Sequence, residues 1–464
     1  MDQTVAPAQP IFHTYPPTIY NDRAAFVDLS VINQSGYDWR LDDQHPPRLS
    51  YHWLDDRGVR VVHDGARSFF PKTIAYGEEC RMFLRIHPPP APGHYTLLVD
   101  IVREGLGWFE LQYPIHIECL PAPQPRVILV NGNCLVRDAI GNNIVQKLRL
   151  LQQWGFAPLL LTELIDRRLP LELQALMVEV NQADILTPSP DLQWAANHFW
   201  QASLYLFDYS TYYPLVELIR VVSDGPVIFD YHGVTPPSLW SSSIGLSDVE
   251  LGVKNVSLVA WADYAIAHSE FTRKELVDTG LIDPTRIFVF PYVVPTESFR
   301  PGRRRSSVPQ LKNSQDPVLL YVGRMASNKR IDMLIRMVGI IKQRYPHVQL
   351  LLVGDNTSLP YQEVVTAAQQ LIKDLNLEEN VIFTGQVDNL PDYYDACDVY
   401  VTSSLHEGFC IPVVEAMASG KPVVASNATA LPWTIGDAGL LVDPDDLQGF
   451  ATCVQKLLDA KYAS

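Results

Sequence analysis

Two carboxylates stand eight residues apart in E-G-F-C-I-P-V-V-E, at Glu407 and Glu415. Residues 399–403 ahead of them read as a short buried strand. Pro412 suits the first turn of a helix, where its missing N–H costs nothing. Glu407 is therefore expected on a loop, and Glu415 on a helix among Val413, Val414, Ala416 and Met417 that Gly420 stops. Glutamates are ordinarily solvated, and a carboxylate in such apolar company is costly unless paired. Strand, loop, helix and the following strand at 422–425 make half of a doubly wound nucleotide-binding unit, with its ligand beyond the carboxyl ends of the strands. A diphosphate is at home beside the helix N-terminus there.

A bound or departing diphosphate carries negative charge on its phosphate oxygens, which nearby cations stabilise. The run G-R-M-A-S-N-K-R, directly after the apolar strand V-L-L-Y-V, supplies them. Gly323 permits close backbone approach, and Arg324 and Lys329 can converge from either side of a turn. The bland alternative is surface charge flanking a helix. The turns Gly354-Asp355 and Thr384-Gly385-Gln386-Val387 follow consecutive strands and are expected to wall a nucleoside base, with Gly354 and Val387 in contact. The one attractive Asp-x-Asp, Asp443-Pro444-Asp445, sits in a run that reads as a late surface turn, so no metal requirement is expected. Neither a Ser-His-Asp order nor a phosphate-loop lysine signature supports a hydrolase or a kinase.

The elements that must position these groups alternate strand and helix from residue 126 onward. Strands are expected at 126–130, 158–161, 203–207, 227–231 and 264–267, with an amphipathic helix over 140–154, and again at 318–322, 350–353 and 381–384. The proline-broken, polar run 301–316, including Arg303, Arg304 and Arg305, reads as a linker. The expected division is a Pro-rich tail at 1–21, a small all-β sandwich at 22–120, a first Rossmann-like domain at 126–300, the linker, and a second Rossmann-like domain at 317–464. The sandwich rests on short apolar–polar alternations cut by turns such as P-P-P-A-P-G at 88–93. Trp39, Tyr51, Trp53, Tyr95, Trp108 and Phe109 could offer stacking faces to sugar rings, but a small core uses aromatics more often than a ligand does.

Composition bounds the function class. With 464 residues, 47% of them hydrophobic, the chain can bury several cores. A net charge of −16 and a pI near 5.1 argue against nucleic acid as a partner, since non-specific binding needs a basic footprint. Six scattered cysteines form no C-x-x-C pair, so neither zinc nor a disulfide framework is indicated and a reducing cytoplasm is the simpler setting. The first residues lack a basic start and an apolar core, and no apolar run is long enough to span a bilayer, so any membrane contact would be peripheral.

The Glu-x7-Glu segment, with the run at 323–330, resembles family 4 of the retaining GT-B glycosyltransferases, and the resemblance covers the chain from the first Rossmann-like domain onward. It implies Glu415 on ribose hydroxyls, Glu407 on hydroxyls of the transferred sugar, Arg324 and Lys329 on the diphosphate, and backbone of Gly408, Phe409, Cys410 and Ile411 on sugar and phosphate oxygens. Gly141, in D-A-I-G-N-N, resembles the glycine loop that closes on the donor. His232, in D-Y-H-G-V-T-P-P, matches a histidine that contacts the transferred sugar, and Ser269 reads as a helix N-cap. Arg330 stands where many relatives carry glycine, and relatives continue into a further helical segment beyond the point where this chain ends. The tokens L-S-Y-H-W, D-G-A-R-S and V-R-E-G-L-G-W-F resemble immunoglobulin-like accessory domains of bacterial surface-polysaccharide enzymes. The implied activity is retaining transfer of a sugar from a nucleoside-diphosphate sugar to a saccharide or lipid-linked acceptor hydroxyl, with no cofactor and no enzymic nucleophile. Its rivals are an epimerase or phosphorylase on the same scaffold, and a non-catalytic glycan-binding protein.

Overall fold

The computed structural model describes residues 6–122, 125–136, 138–301, 308–311 and 316–462. Most of the expected linker, with Arg303, Arg304 and Arg305, lies outside the described residues. The chain forms two compact units, residues 1–207 with 214–227 and residues 208–213 with 228–464.

The first unit opens with two sheets around one core. A three-stranded antiparallel sheet runs in the order Ala8–Thr14, Ala25–Asn33, Glu79–Ile86. The other runs Thr18–Tyr20, Tyr113–Leu120, Gly93–Arg103, Arg48–Leu54, Arg60–Val62, with two short strands at its sides. Alternation turns Val27, Leu29 and Val31 of one sheet and Leu49, Tyr51, Trp53, Leu97 and Val99 of the other into the shared core. Trp39 is buried in that core, and Tyr95 and Phe109 pack against it. Trp108 lies outside it and packs on His52, ring centroids 4.2 Å apart. The expected proline-rich tail is corrected here: Ala8–Thr14 and Thr18–Tyr20 are strands of these sheets. Pro10 is tolerated because its strand is the outermost of its sheet, where a missing ladder donor does no harm.

The α/β part holds two sheets. The first has seven strands, in the order Met177–Glu179, Ala157–Ile165, Arg126–Cys134, Leu204–Tyr209, Val227–Tyr231, Tyr264–Ala267, Ile287–Val289. The second has six, in the order Val381–Gly385, Gln349–Val353, Val318–Val322, Val399–Thr402, Val423–Ser426, Leu440–Val442, parallel throughout. Counted along the chain, each follows the 3-2-1-4-5-6 order of a doubly wound fold, the first adding one further strand. Buried on both faces, these strands read in sequence as unbroken apolar runs. The second sheet packs under the Ile331–Ile341, Gln362–Asp374 and Leu447–Tyr462 helices on one side, and under Tyr394, Val413, Ala416 and Leu431 on the other.

Candidate functional site

In the second sheet the strand order reverses between Val318–Val322 and Val399–Thr402, which is where a doubly wound sheet opens a crevice. The loops leaving those two strands carry Gly323 to Lys329 and Glu407 to Cys410. Lys329 Nζ donates to Glu407 Oε1 at 2.7 Å, and the two side chains are only 12% and 14% exposed. Burial pushes the Glu407 carboxyl up, but the Lys329 charge and hydrogen bond, helped by Ser404, outweigh it and hold the group below its ordinary value. The Thr429 hydroxyl accepts from the Glu407 amide at 2.9 Å. Asn328 ties the two loops together, accepting from the Leu405 amide at 2.8 Å and donating to the His406 carbonyl at 3.2 Å.

Arg330 adopts a left-handed backbone, φ 50° and ψ 50°, and its guanidinium lies 3.2 Å from Asp445 and 3.4 Å from Asp332. The Asp443-Pro444-Asp445 turn is thus closed by Arg330 and by the Asp445 amide, which donates to Asp443 Oδ1 at 3.0 Å. That is the behaviour of a surface turn. Arg324 is exposed, with one guanidinium nitrogen 3.4 Å from the Tyr361 hydroxyl, and its carbonyl accepts from the Tyr321 hydroxyl at 3.0 Å.

The Ile411–Ala418 helix begins at Cys410, whose backbone is left-handed, φ 77° and ψ 72°, a conformation that costs a residue with a Cβ about 1–2 kcal/mol. Burial pushes the Cys410 thiol well above its usual range, so the sulfur stays neutral. The Phe409 carbonyl accepts from the Thr434 hydroxyl at 2.5 Å. Glu415 is half-buried and accepts from the Tyr394 hydroxyl at 2.8 Å. Burial raises its pKa to about 7, with the Tyr394 bond pulling the other way. Two buried phenols show how closely these groups gather. Burial first, then the Glu407 charge, raises the Tyr321 hydroxyl against the opposing pull of Arg324. Tyr400 is raised likewise, and it feels both Glu407 and Glu415.

Gly354 is fixed by crowding: a Cβ there would lie 1.9 Å from the Gly323 carbonyl oxygen. The loops after two neighbouring strands therefore meet backbone to backbone at this point. Val387 packs at the edge of the apolar core on the Ile411–Ala418 helix side.

His232 follows the Val227–Tyr231 strand and is buried. Nε2 lies 2.9 Å from Asp208 Oδ1, and Nδ1 is bonded to the Tyr292 hydroxyl. Burial pushes its pKa down. With Nε2–H donating to the carboxylate, the neutral ring accepts the Tyr292 proton at Nδ1. A polar contact from this ring to a sugar would have to replace one of these bonds. Beside it, His268 Nε2 lies 2.8 Å from Asp230 and Nδ1 2.8 Å from the Phe290 carbonyl. Donor atoms of Asp230, His232 and His268 all lie within 4.8 Å of one another, close enough to hold a metal ion. The two imidazoles, however, are stacked, centroids 4.6 Å apart and planes 15° apart, and each nitrogen already has a protein neighbour. The cluster holds one hydrogen-bonded imidazole–carboxylate pair, His232 with Asp208, and one close contact, His268 with Asp230.

Gly141 lies in the first compact unit, unlike the other residues singled out. It stands in the first turn of the Ala139–Gln153 helix, capped by Asp138, and a Cβ there would lie 2.1 Å from the Leu135 carbonyl oxygen. Its glycine is thus required by the chain's own turn. Ser269 is the N-cap of the Glu270–Asp278 helix, as its position before F-T-R-K-E-L implies. Sequence reasoning missed Asp208, Tyr292, Tyr394 and Thr429, whose partners lie 20 to 60 residues away along the chain. Only the strand-end position of Asp208 could have flagged it.

Residues 316–460 match the family model described as Glycosyl transferases group 1. A D-inositol 3-phosphate glycosyltransferase 2 from Catenulispora acidiphila is 33% identical over 210 residues, 43% of this chain and 49% of the relative. The chain thus spans about half the length of this curated relative. Among solved structures, sucrose-phosphate synthase from Thermosynechococcus elongatus superposes with a TM-score of 0.58 at 22% identity, over 72% of this chain and 90% of that one. Anabaena HepE, solved in complex with UDP and glucose, gives 0.58 at 19% identity, over 73% and 91%. The likeness to these two structures is one of fold. The family likeness thus covers residues 316–460, and the likeness to the solved structures extends an α/β GT-B fold with parallel sheets over nearly three quarters of the chain.

Proposed function

We propose that the protein is a retaining, metal-independent glycosyltransferase that moves a sugar from a nucleoside-diphosphate sugar to an acceptor hydroxyl. The reading is carried by one observation: the Lys329–Glu407 pair, 2.7 Å apart and with both side chains largely out of solvent, sits at the strand-order reversal where a doubly wound sheet binds its ligand. Lys329 and Arg324 meet the diphosphate, Glu407 a sugar hydroxyl, and Glu415 the ribose. Amides at the start of the Ile411–Ala418 helix favour the leaving anion. The leaving phosphate takes the acceptor proton on the face that the acceptor attacks, and the protein supplies positioning and charge. His232 orients the sugar end, and Gly141, in the first turn of its helix, is assigned to donor binding by resemblance alone.

The surrounding assignments belong to the same proposal. The two-sheet domain is an immunoglobulin-like accessory domain, residues 126–300 form the acceptor-side domain and residues 317–464 the donor-side domain. The biological setting is bacterial surface-polysaccharide or lipid-linked glycan synthesis on the cytoplasmic side. No helix among the described residues is long and apolar enough to cross a membrane. Since HepE was solved with UDP and glucose, uridine diphosphate and UDP-sugars are the first ligands to test.

The test begins with melting temperature in the presence of nucleoside diphosphates. A ligand at a hundred times its Kd adds about 2.7 kcal/mol to the native state and raises the melting temperature measurably. Transfer assays follow on Lys329→Ala and Glu407→Ala. Each is expected to lower kcat by about 100-fold or more, the scale of losing one charge-stabilising contact. Wild-type rates in either variant refute the assignment.

A further inference from the structure

We propose that Ser269 is a positioning residue that fastens the 407–410 loop to the helix it caps, and so fixes the direction of Glu407. The helical role alone does not account for its bonds. Ser269 is fully buried, with the extended backbone of an N-cap, φ −153° and ψ 166°. Its Oγ accepts from the Thr272 amide at 3.1 Å and donates to the Gly408 carbonyl at 2.7 Å. One hydroxyl has one proton and two lone pairs, so both bonds coexist. The cap itself is reinforced without Gly408, because Thr272 Oγ1 accepts from the amides of His268 and Ser269 at 3.1 Å and 3.0 Å.

Gly408 meets this hydroxyl because backbone contact brings it there. A Cβ at residue 408 would lie 2.0 Å from the His232 carbonyl oxygen, and one at Gly233 would lie 3.3 Å from Gly408 Cα and 3.2 Å from Thr272 Cγ2. Two glycines therefore let the loop after the Val227–Tyr231 strand press on the loop that carries Glu407. Aromatic contact continues the seam, with Tyr292 and Phe409 ring centroids 5.5 Å apart. The Ser269 bond is the polar tie in it. Glu407 precedes Gly408, and its side chain is held by Lys329 while its amide is held by Thr429. Ser269 thus fixes the peptide that follows Gly408, so the backbone is held on both sides of the residue that carries the carboxylate. The catalytic consequence rests on the proposed function, whereas the tie itself does not.

Hydrogen exchange on the ligand-free protein separates the tie from the cap. Ser269→Gly removes the tie with little loss of capping, and Ser269→Ala removes both. Thr272→Ala weakens the cap and leaves the tie, and Ser269→Thr keeps the hydroxyl. The amides of Leu405 and Glu407, bonded to Asn328 and Thr429, report the loop. They are expected to exchange about 5- to 10-fold faster in both Ser269→Gly and Ser269→Ala, the scale of one buried hydrogen bond, and at the wild-type rate in Ser269→Thr and Thr272→Ala. With a donor that the wild type turns over, kcat falls by a similar factor in Ser269→Gly while affinity for the free nucleoside diphosphate holds. Wild-type exchange at Leu405 and Glu407 in both the Gly and Ala variants overturns the proposal. If no nucleoside diphosphate raises the melting temperature, the donor reading falls, and the exchange comparison still decides the tie.

Discussion

Glu415 shows what one side chain can report. It sits half-buried on the Ile411–Ala418 helix among apolar neighbours, and the single bond from Tyr394 does not offset its burial, so its pKa rises from 4.5 to about 7. A carboxyl raised in the folded state favours folding as the neutral acid. Its contribution is complete below about pH 4.5 and is lost as pH rises through 7. Paired ribose hydroxyls donate to the ionised form, so a nucleotide bound there draws the proton off. Calorimetry of binding of a nucleoside-diphosphate sugar, whose diphosphate has no group titrating near neutrality, near pH 6 and in two buffers of different ionisation enthalpy, is expected to show release of close to one proton. Affinity should weaken as pH falls below 7, and Glu415→Gln should abolish both effects. Heats that do not depend on the buffer would remove Glu415 from the ribose.

At the scale of elements, the site depends on loops that touch through glycine. Gly354 follows the Gln349–Val353 strand and Gly323 the neighbouring Val318–Val322 strand, with the Gly323 amide donating to the Val353 carbonyl at 2.9 Å. Gly354→Ala would set a methyl 1.9 Å from the Gly323 oxygen, and backbone, unlike a side chain, cannot rotate away. The expected cost is about 1–3 kcal/mol by denaturant titration, with loss of nucleoside diphosphate binding because the displaced turn begins the Arg324–Lys329 run. A variant with wild-type stability and binding would show that the two turns are not coupled. The strands were legible in the sequence because parallel strands covered on both faces are apolar throughout, and 227–231, 264–267 and 318–322 coincide with those observed. The placement of Glu407 on a loop and Glu415 on a helix was legible for the same kind of local reason, a proline in the helix's first turn and a glycine just past its end. Partners were not. Nothing near Glu415 points to Tyr394, 21 residues earlier on the Leu390–Ala396 helix, and nothing near His232 points to Tyr292, 60 residues later. Such pairings come from strand order, which periodicity does not encode. Pro10 misled for the opposite reason, since a proline that breaks most strands is harmless on an outermost one.

For the whole molecule, the two-sheet domain shares a compact unit with the first strands of the α/β part. Tyr51 donates to Asp191 at 2.9 Å, His87 Nδ1 lies 3.0 Å from the other Asp191 oxygen, and the Ala24 amide donates to the Ala175 carbonyl at 2.9 Å. Arg85, buried and with its pKa lowered to about 10 by that burial, donates to the carbonyls of Gln174 and Met177. A module that only carries a glycan to an enzyme needs no buried ionic seam, because a flexible linker would serve. The seam argues that the domain stabilises the first α/β sheet, whatever it also binds. Asp191→Ala leaves Tyr51 and His87 without their acceptor, and each orphaned buried polar group costs about 1–3 kcal/mol. In calorimetry of the full chain, the sandwich and the Arg126–Cys134 and Ala157–Ile165 strands should melt in one transition, and the substitution should lower that transition as a whole. Exchange protection lost in both places together would confirm the shared unit. A sandwich that keeps its protection while the α/β strands lose theirs would make the domain an independent attachment, and its role would then have to be sought on its own surface.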